Sequence, residues 1–492
     1  MKVSLIYPYI SVAERYGTDI GDIGGRQAPL GILYLSSFLK KLGHEVQLID
    51  AEAERLPDGE VIGRLKYFRP ECVGISITTV AYGNSLRLAD SVRKNFNGVR
   101  IVAGGPHVTA NPAESIADSA FDFGICGEGE LTFAELLENM HDPAKFAGIR
   151  GLVYKDSGRG VLINERRVQI QELDELPYPD RDALASIKLY RPPIGCYRED
   201  FVVSLITSRG CPYNCIFCDN NTFGRKIRCF TPEYVAGEIE SVLKRFNAKE
   251  LTFVDDTFPS NRKRFRRVLE LIKERNLRFS WTCMANANDL DEEILKLMRA
   301  AGCWQIAIGI ESGDDEILRF IKKGITTGKV RETANSADRA GMMVKGFFML
   351  GNPTETRASL GKTRDFALSL PLTDVVCTIA TPIRGTELYE LASSGEYGKF
   401  NASADSSKFN YWEPVFVPYG LSEDDLYGAQ RDFYKSFYLR PSVFFRQLKK
   451  IRSLKMLGRT LKALLKILKM KFKAGSVRNP NSKSECRNPK QI

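Results

Sequence analysis

The sequence predicts an α/β protein with two domains in series. The first is a doubly wound, Rossmann-like parallel sheet. The second is a partial, TIM-like (β/α)6 barrel, followed by a C-terminal helical region. Three observations carry this prediction. Short apolar strands alternate with amphipathic helices over residues 1–140, and the same alternation resumes at Phe201 through six more strand segments. The turns that carry glycines or clustered cysteines fall at the C-terminal ends of strands, where parallel sheets and barrels place their ligands. The chain has 492 residues, 43% of them hydrophobic, which is too long for one core and apolar enough for more than one.

In the first domain, Val3–Pro8, Glu45–Ile49, Cys72–Thr78, Val99–Ala103 and Phe121–Cys126 read as strands. Leu30–Leu42, Leu86–Asn95 and Leu131–Met140 carry apolar residues at helical spacing. Residues 1–145 are assigned to this domain. Residues 146–200 read as a connector. Gly151–Tyr154 and Val161–Asn164 flank a polar turn, a hairpin signal, and the prolines of Leu176–Pro179 and Arg191–Pro193 break regular structure. Residues 201–395 form the barrel, with strands expected at Phe201–Thr207, Glu250–Val254, Phe279–Met284, Gln305–Ile310, Val344–Leu350 and Val375–Ala380. Residues 396–473 are read as mostly helical, and 474–492, rich in Asn, Ser, Pro and Lys, as a disordered tail.

Composition narrows the function classes. The net charge is +11, from 71 basic and 60 acidic residues. Eleven of the basic residues lie between Val443 and Lys473, a run with no acid, so the rest of the chain is neutral (71 − 11 = 60 against 60). Nucleic-acid binding by the body is therefore not expected. Within that run Lys455, Arg459, Lys462, Lys466, Lys469 and Lys473 recur at spacings of four and three beside an equally periodic leucine stripe. This predicts an amphipathic helix that attaches peripherally to an anionic membrane surface, the inner face of the cell membrane; a helix packed on the barrel with a solvated lysine face is the alternative. The start of the chain, MKVSLIYPYI, carries no secretory signal and no spanning segment, and the cytoplasm is the expected compartment.

Of the eleven cysteines, the only cluster is Cys211, Cys215 and Cys218; most others sit singly in apolar runs, as free buried thiols do. Three close thiolates suit three irons of a [4Fe–4S] cluster and leave the fourth iron open to a chelating amino acid. The three histidines, His44, His107 and His141, all lie in the first domain, so a four-ligand zinc site is disfavoured. Asp255 or Asp256 at a strand end can accept from an ammonium group, and Glu311 from sugar hydroxyls; capping or solvated carboxylates are the plainer reading of each.

Ser208-Arg-Gly-Cys-Pro-Tyr-Asn-Cys-Ile-Phe-Cys218 resembles the cluster loop of the radical S-adenosylmethionine superfamily. Val254–Phe258, Gly309–Gly313, Phe347–Thr356 and Thr381–Thr386 resemble further motifs of that family, in order, over roughly 200–395. The resemblance implies that Cys211, Cys215 and Cys218 hold the cluster and that Phe217 lies near the adenine. It also implies that Asp255 or Asp256 meets the methionine amino group and that Glu311 reaches the ribose.

Ala28–Leu35, Gly43–Asp50, Gly104-Gly105-Pro106-His107 and Gly127-Glu128-Gly129-Glu130 resemble the cobalamin-binding domain fused to one subgroup of that family. By this resemblance Gly104, Gly105, Gly127 and Glu128 border the corrin, Ser76, Thr78 and Thr79 donate hydrogen bonds to its nucleotide tail, and His107 lies in the same site. The D-x-H-x-x-G motif that supplies a histidine to cobalt is absent, and His107 is read as a hydrogen-bonding loop residue. A flavodoxin-like domain without cofactor is the alternative.

The resemblance implies cleavage of S-adenosylmethionine to a 5′-deoxyadenosyl radical and, in the cobalamin subgroup, methylation of an unactivated carbon. The expected substrate is an apolar or amphiphilic small molecule such as a lipid, isoprenoid or tetrapyrrole, and the expected reductant a low-potential flavodoxin or ferredoxin. The alternatives are a cyclase like the anaerobic magnesium-protoporphyrin ester cyclase, a methylthiotransferase, and a non-catalytic iron–sulfur carrier or cobalamin sensor.

Overall fold

The computed structural model describes residues 1–18, 24–193, 195–199, 201–448, 450–451, 457–458 and 461. Most of the basic segment 443–473, and all of the tail 474–492, lie outside the described residues.

The first sheet has seven strands: β1 (Lys2–Tyr7), β2 (Glu45–Asp50), β3 (Cys72–Ser76), β4 (Arg100–Gly104), β5 (Phe123–Ile125), β6 (Leu152–Asp156) and β7 (Gly160–Ile163), in the order β2-β1-β3-β4-β5-β6-β7. The first five are parallel, as expected for strands joined through helices. Alternate side chains enter two separate cores. Ile6, Ile75 and Ile101 pack on one face, and Val3, Leu5 and Val102 on the other, so helices cover both. The chain order reverses between β1 and β3, the switch point at which such sheets open a crevice.

The hairpin at 152–163 departs from its expected place in a connector. Its first strand pairs antiparallel with β5 and extends the first sheet. Pairing covers the β5 edge, which would otherwise expose unpaired backbone groups.

The second sheet has six parallel strands: β8 (Val202–Leu205), then, past the short ribbon of β9 (Ser208–Arg209) and β10 (Arg228–Cys229), β11 (Glu250–Phe253), β12 (Ser280–Ala285), β13 (Cys303–Glu311), β14 (Met343–Leu350) and β15 (Asp374–Ile379). They stand in sequence order with β8 and β15 as open edges, so the barrel is partial. All six expected strands are present. The β15 edge is covered by the helix Glu423–Tyr438: Tyr434 accepts from the Cys377 amide at 2.8 Å, and Gln430 donates to its carbonyl at 2.8 Å. A short antiparallel pair, β16 (Gly398–Phe400) and β17 (Phe416–Pro418), precedes that helix.

Candidate active site

The cluster loop leaves β9 and returns through β10. Cys211, Cys215 and Cys218 lie in its first half. The backbone is fixed at both sides: Ile216 donates to the Ile321 carbonyl at 3.1 Å and accepts from Leu388 at 2.8 Å, and Cys211 donates to Gly224 at 3.3 Å. Gly210 begins the turn at φ +92°, and a Cβ there would meet the Lys226 carbonyl oxygen at 2.5 Å, so only glycine fits. Cys215 is buried, Cys211 half-buried and Cys218 exposed. A hydrogen bond from the Cys218 thiol, and then the Lys323 ammonium, outweigh burial and bring Cys215 down to about 7; the same bond pushes Cys218 up. Burial raises Cys211. Among the described residues no three such ligands converge as around one metal ion. A cubane asks for a wider arrangement, because each thiolate takes its own iron. A short loop that carries three thiols, two of them in hydrogen-bond contact, fits that group.

Lys323 is the residue that sequence reasoning missed. Its ammonium lies 2.8 Å from Glu311 Oε1, with both side chains 12% exposed, and 5.6 Å from the Phe217 ring centroid. It therefore ties together the third-cysteine aromatic, the β13 acid and the cysteine loop. Glu311 sits at φ +66°, beyond a register shift that starts at Gly309, a strained conformation for a non-glycine residue. A Cβ at Gly309 would meet Lys323 Nζ at 2.6 Å and Glu311 Oε1 at 2.7 Å. No motif marks Lys323 in a single sequence; it is one of two adjacent lysines in a loop.

The paired acids divide. Asp255 is fully buried, and its Oδ1 accepts from the Thr207 amide at 3.0 Å, the Thr207 hydroxyl at 2.8 Å and Ser208 at 2.5 Å. It fastens the end of β8 to the end of β11, while its Oδ2 has no partner among the described residues. Asp256 is exposed and lines the cleft between the domains. Burial raises Asp255; Asp256, accessible along the cleft yet surrounded by protein, is raised by the same cause and then by the Asp255 charge.

That cleft has a volume of about 360 Å³. The strand ends of the first sheet form one wall, through Ser76, Gly104, Gly105 and Gly127; Phe223 and Asp256 of the second domain form the other. A Cβ at Gly104 or Gly127 would meet nothing within 4 Å, so these glycines leave open a cradle that side chains would fill. Bare backbone beside apolar strand ends fits a flat, bulky corrin.

The other expected corrin residues fare differently. Thr78, Thr79 and His107 are not part of this lining. His107 Nδ1 is 3.2 Å from the Thr79 hydroxyl, its ring lies 4.3 Å from that of Tyr82, and burial lowers its pKa to about 4. It is a neutral, buried residue of the short helix Pro106–Ala110, not of a loop as its sequence context suggests, and it makes the expected hydrogen bond. Glu128 borders the cleft, but its carboxylate is engaged by Arg209 at 3.0 Å, Arg228 at 2.9 Å and the Ile170 amide at 2.9 Å. With Glu130, which pairs with Arg209 at 2.6 Å, it locks the two domains together instead of reaching for a ligand. The reason is topological: β9 and β10 deliver two arginines to that strand end.

The model of the radical SAM superfamily matches residues 205–367, and that of the B12 binding domain matches 18–137. An uncharacterized methyltransferase of Pyrococcus horikoshii is 35% identical over 91% of this chain and 95% of its own. The chain belongs to the cobalamin-binding radical S-adenosylmethionine enzymes. The structure of the radical S-adenosylmethionine methyltransferase TsrM from Kitasatospora setae, with cobalamin and a [4Fe–4S] cluster bound, shares the fold at a TM-score of 0.69 and 17% identity, covering 90% of each chain. The anaerobic magnesium-protoporphyrin IX monomethyl ester cyclase of Rubrivivax gelatinosus is 24% identical over 89% of this chain and 78% of its own. The cofactors of this radical SAM enzyme are a [4Fe–4S] cluster, S-adenosylmethionine and cobalamin, and its substrate is a small molecule. No helix among the described residues is long and apolar enough to cross a membrane.

Proposed function

We propose that the enzyme methylates an unactivated carbon of an apolar or amphiphilic metabolite. The observation that carries this reading is the position of the corrin cleft. Its far wall carries Asp256, just past β11, and Asp219 and Phe223 of the cluster loop, so a corrin held there would lie against the mouth of the barrel. When bound, the cluster supplies the electron that cleaves S-adenosylmethionine, and cobalamin carries the methyl group. Cys211, Cys215 and Cys218 would hold the cluster. Phe217 and Glu311 would flank the adenosine, with Lys323 fixing the Glu311 carboxylate, and Asp256 is the acid free to meet the methionine ammonium. Gly104, Gly105 and Gly127 would let backbone approach the corrin, with Ser76 beside them. The buried barrel walls exclude water from a reactive carbon radical.

The test uses trideuteromethyl-labelled S-adenosylmethionine, the reconstituted enzyme and a cell extract. C-methylation gives a labelled metabolite, with S-adenosylhomocysteine and 5′-deoxyadenosine in equal amounts. Deoxyadenosine without S-adenosylhomocysteine would instead favour a cyclase-type reaction, the second reading, which the likeness to the ester cyclase supports.

Two finer features belong to the same proposal. A flavodoxin or ferredoxin supplies the electron. The C-terminal segment rests on an anionic membrane: the helix Pro441–Leu448 leads into it with Phe444 and Phe445 45% and 63% exposed. Deleting 442–492 then abolishes co-sedimentation with anionic vesicles, and unchanged binding would refute the membrane contact.

A further inference from the structure

A second cavity, of about 470 Å³, fills the barrel below its mouth. Its upper walls are apolar, with Met284, Phe347, Tyr411 and Trp412. Its floor is not. Gln305 of β13, Lys345 of β14 and Asp374 of β15 face inward there, one strand after another; Lys345 stands in register with Ala307 on one side and Asp374 on the other.

The floor groups are unevenly satisfied. Lys345 is 6% exposed, and among the described residues its ammonium, which has three N–H groups, makes a single hydrogen bond, to Cys196 Sγ at 3.0 Å. Gln305 is 2% exposed, and its amide nitrogen has no partner among the described residues. Asp374 is already committed: it accepts from Tyr438 and lies 3.8 Å from Lys450, itself buried and bonded to the Gly195 carbonyl at 3.1 Å. The other cation on the lining, Arg15, is paired with Glu52. Asp374 is thus taken by Lys450, and among the described residues donors of Lys345 and Gln305 remain unused on the lining of the cavity. Buried ammonium and amide donors without acceptors are costly, and the chemistry that satisfies both is an anion.

We propose that the floor of the barrel cavity binds the anionic end, a carboxylate or a phosphate, of an elongated and otherwise apolar substrate, held by Lys345 and Gln305. This rests on the reading of the barrel as the place where the methyl acceptor sits. The geometry sets the ligand's shape. From Lys345 to the strand end at Leu350 is five residues, about 17 Å at the rise of a parallel strand. A molecule anchored on the floor and presenting a carbon at the mouth is therefore extended, with its body against the aromatic walls.

The test is anaerobic titration calorimetry on the full chain reconstituted with cluster, cobalamin and S-adenosylmethionine, without reductant. The probes are decanoate, decyl phosphate and decanol. At least one anion binds about tenfold or more tightly than decanol, the worth of one charge-assisted hydrogen bond. Lys345→Met removes that preference and leaves decanol binding, Lys345→Arg keeps the preference, and Gln305→Leu reduces it. Which anion wins separates carboxylate from phosphate. Equal binding of all three probes, no binding of any, or a preference that survives Lys345→Met would overturn the proposal. Deoxyadenosine formation by the reduced enzyme involves no floor group and reports separately on the radical reading beneath it.

Discussion

The carboxylate of Glu311 and the ammonium of Lys323 are the most informative pair of side chains in the site. They meet at 2.8 Å, in a nearly closed space beside Phe217 and the cysteines. Glu311→Gln removes the charge and is expected to weaken S-adenosylmethionine binding about ten- to a hundredfold, the loss of one charge-assisted bond, in equilibrium dialysis. Unchanged affinity would take Glu311 out of the nucleoside site. His107 gives a pH signature. Its native pKa of about 4 lies below the ordinary 6.5, so the unfolded chain binds the proton first as pH falls. Stability present above pH 6.5 is lost progressively toward pH 4, by on the order of 3 kcal/mol, and His107→Gln flattens that slope in urea unfolding of the apoprotein. The cysteines were legible because three thiolates at fixed short spacing have little other use. Lys323, Lys345 and Gln305 were not, because each gains its meaning from strands far apart in sequence.

At the scale of elements, the six barrel strands and the five parallel strands of the first sheet could be read from apolar runs punctuated by glycine. The pairing of β6 with β5 could not, since a hairpin pattern says nothing about which sheet edge it covers. Nor could the role of Glu128, a strand-end acid that resembles a cofactor contact until β9 and β10 bring Arg209 and Arg228 against it. Arg209 is 4% exposed and joined to two acids. Arg209→Met strands the Glu130 carboxylate, while Glu128 keeps Arg228 and the Ile170 amide, and is expected to cost about 3–5 kcal/mol in chemical denaturation. A loss within error would show that the ion cluster is not what joins the domains. The glycine turns make a complementary prediction. At Gly104 a Cβ would meet nothing within 4 Å, so Gly104→Ala is expected to keep the fold, and the longer side chain of Gly104→Leu, growing from that open position, is expected to cut retention of cobalamin after gel filtration about tenfold or more.

At the scale of the whole molecule, the two domains work as one device. The first sheet's switch point faces the second sheet's mouth, and the cleft of about 360 Å³ lies between them, with the barrel cavity of about 470 Å³ beneath. Domain order was legible in the sequence, but this stacking was not: it depends on the Glu128–Arg209–Arg228 cluster and on contacts such as Arg384 with Glu114. The most direct test of the account follows 5′-deoxyadenosine by chromatography, together with bound-corrin absorbance, in anaerobically reconstituted and reduced protein. The account predicts deoxyadenosine and stoichiometric corrin in the wild type. In Cys215→Ala it predicts corrin retained and deoxyadenosine abolished, because the first domain holds one cofactor and the loop the other. Deoxyadenosine formation that survives Cys215→Ala, or that stays absent from the wild type across candidate substrates, would contradict it.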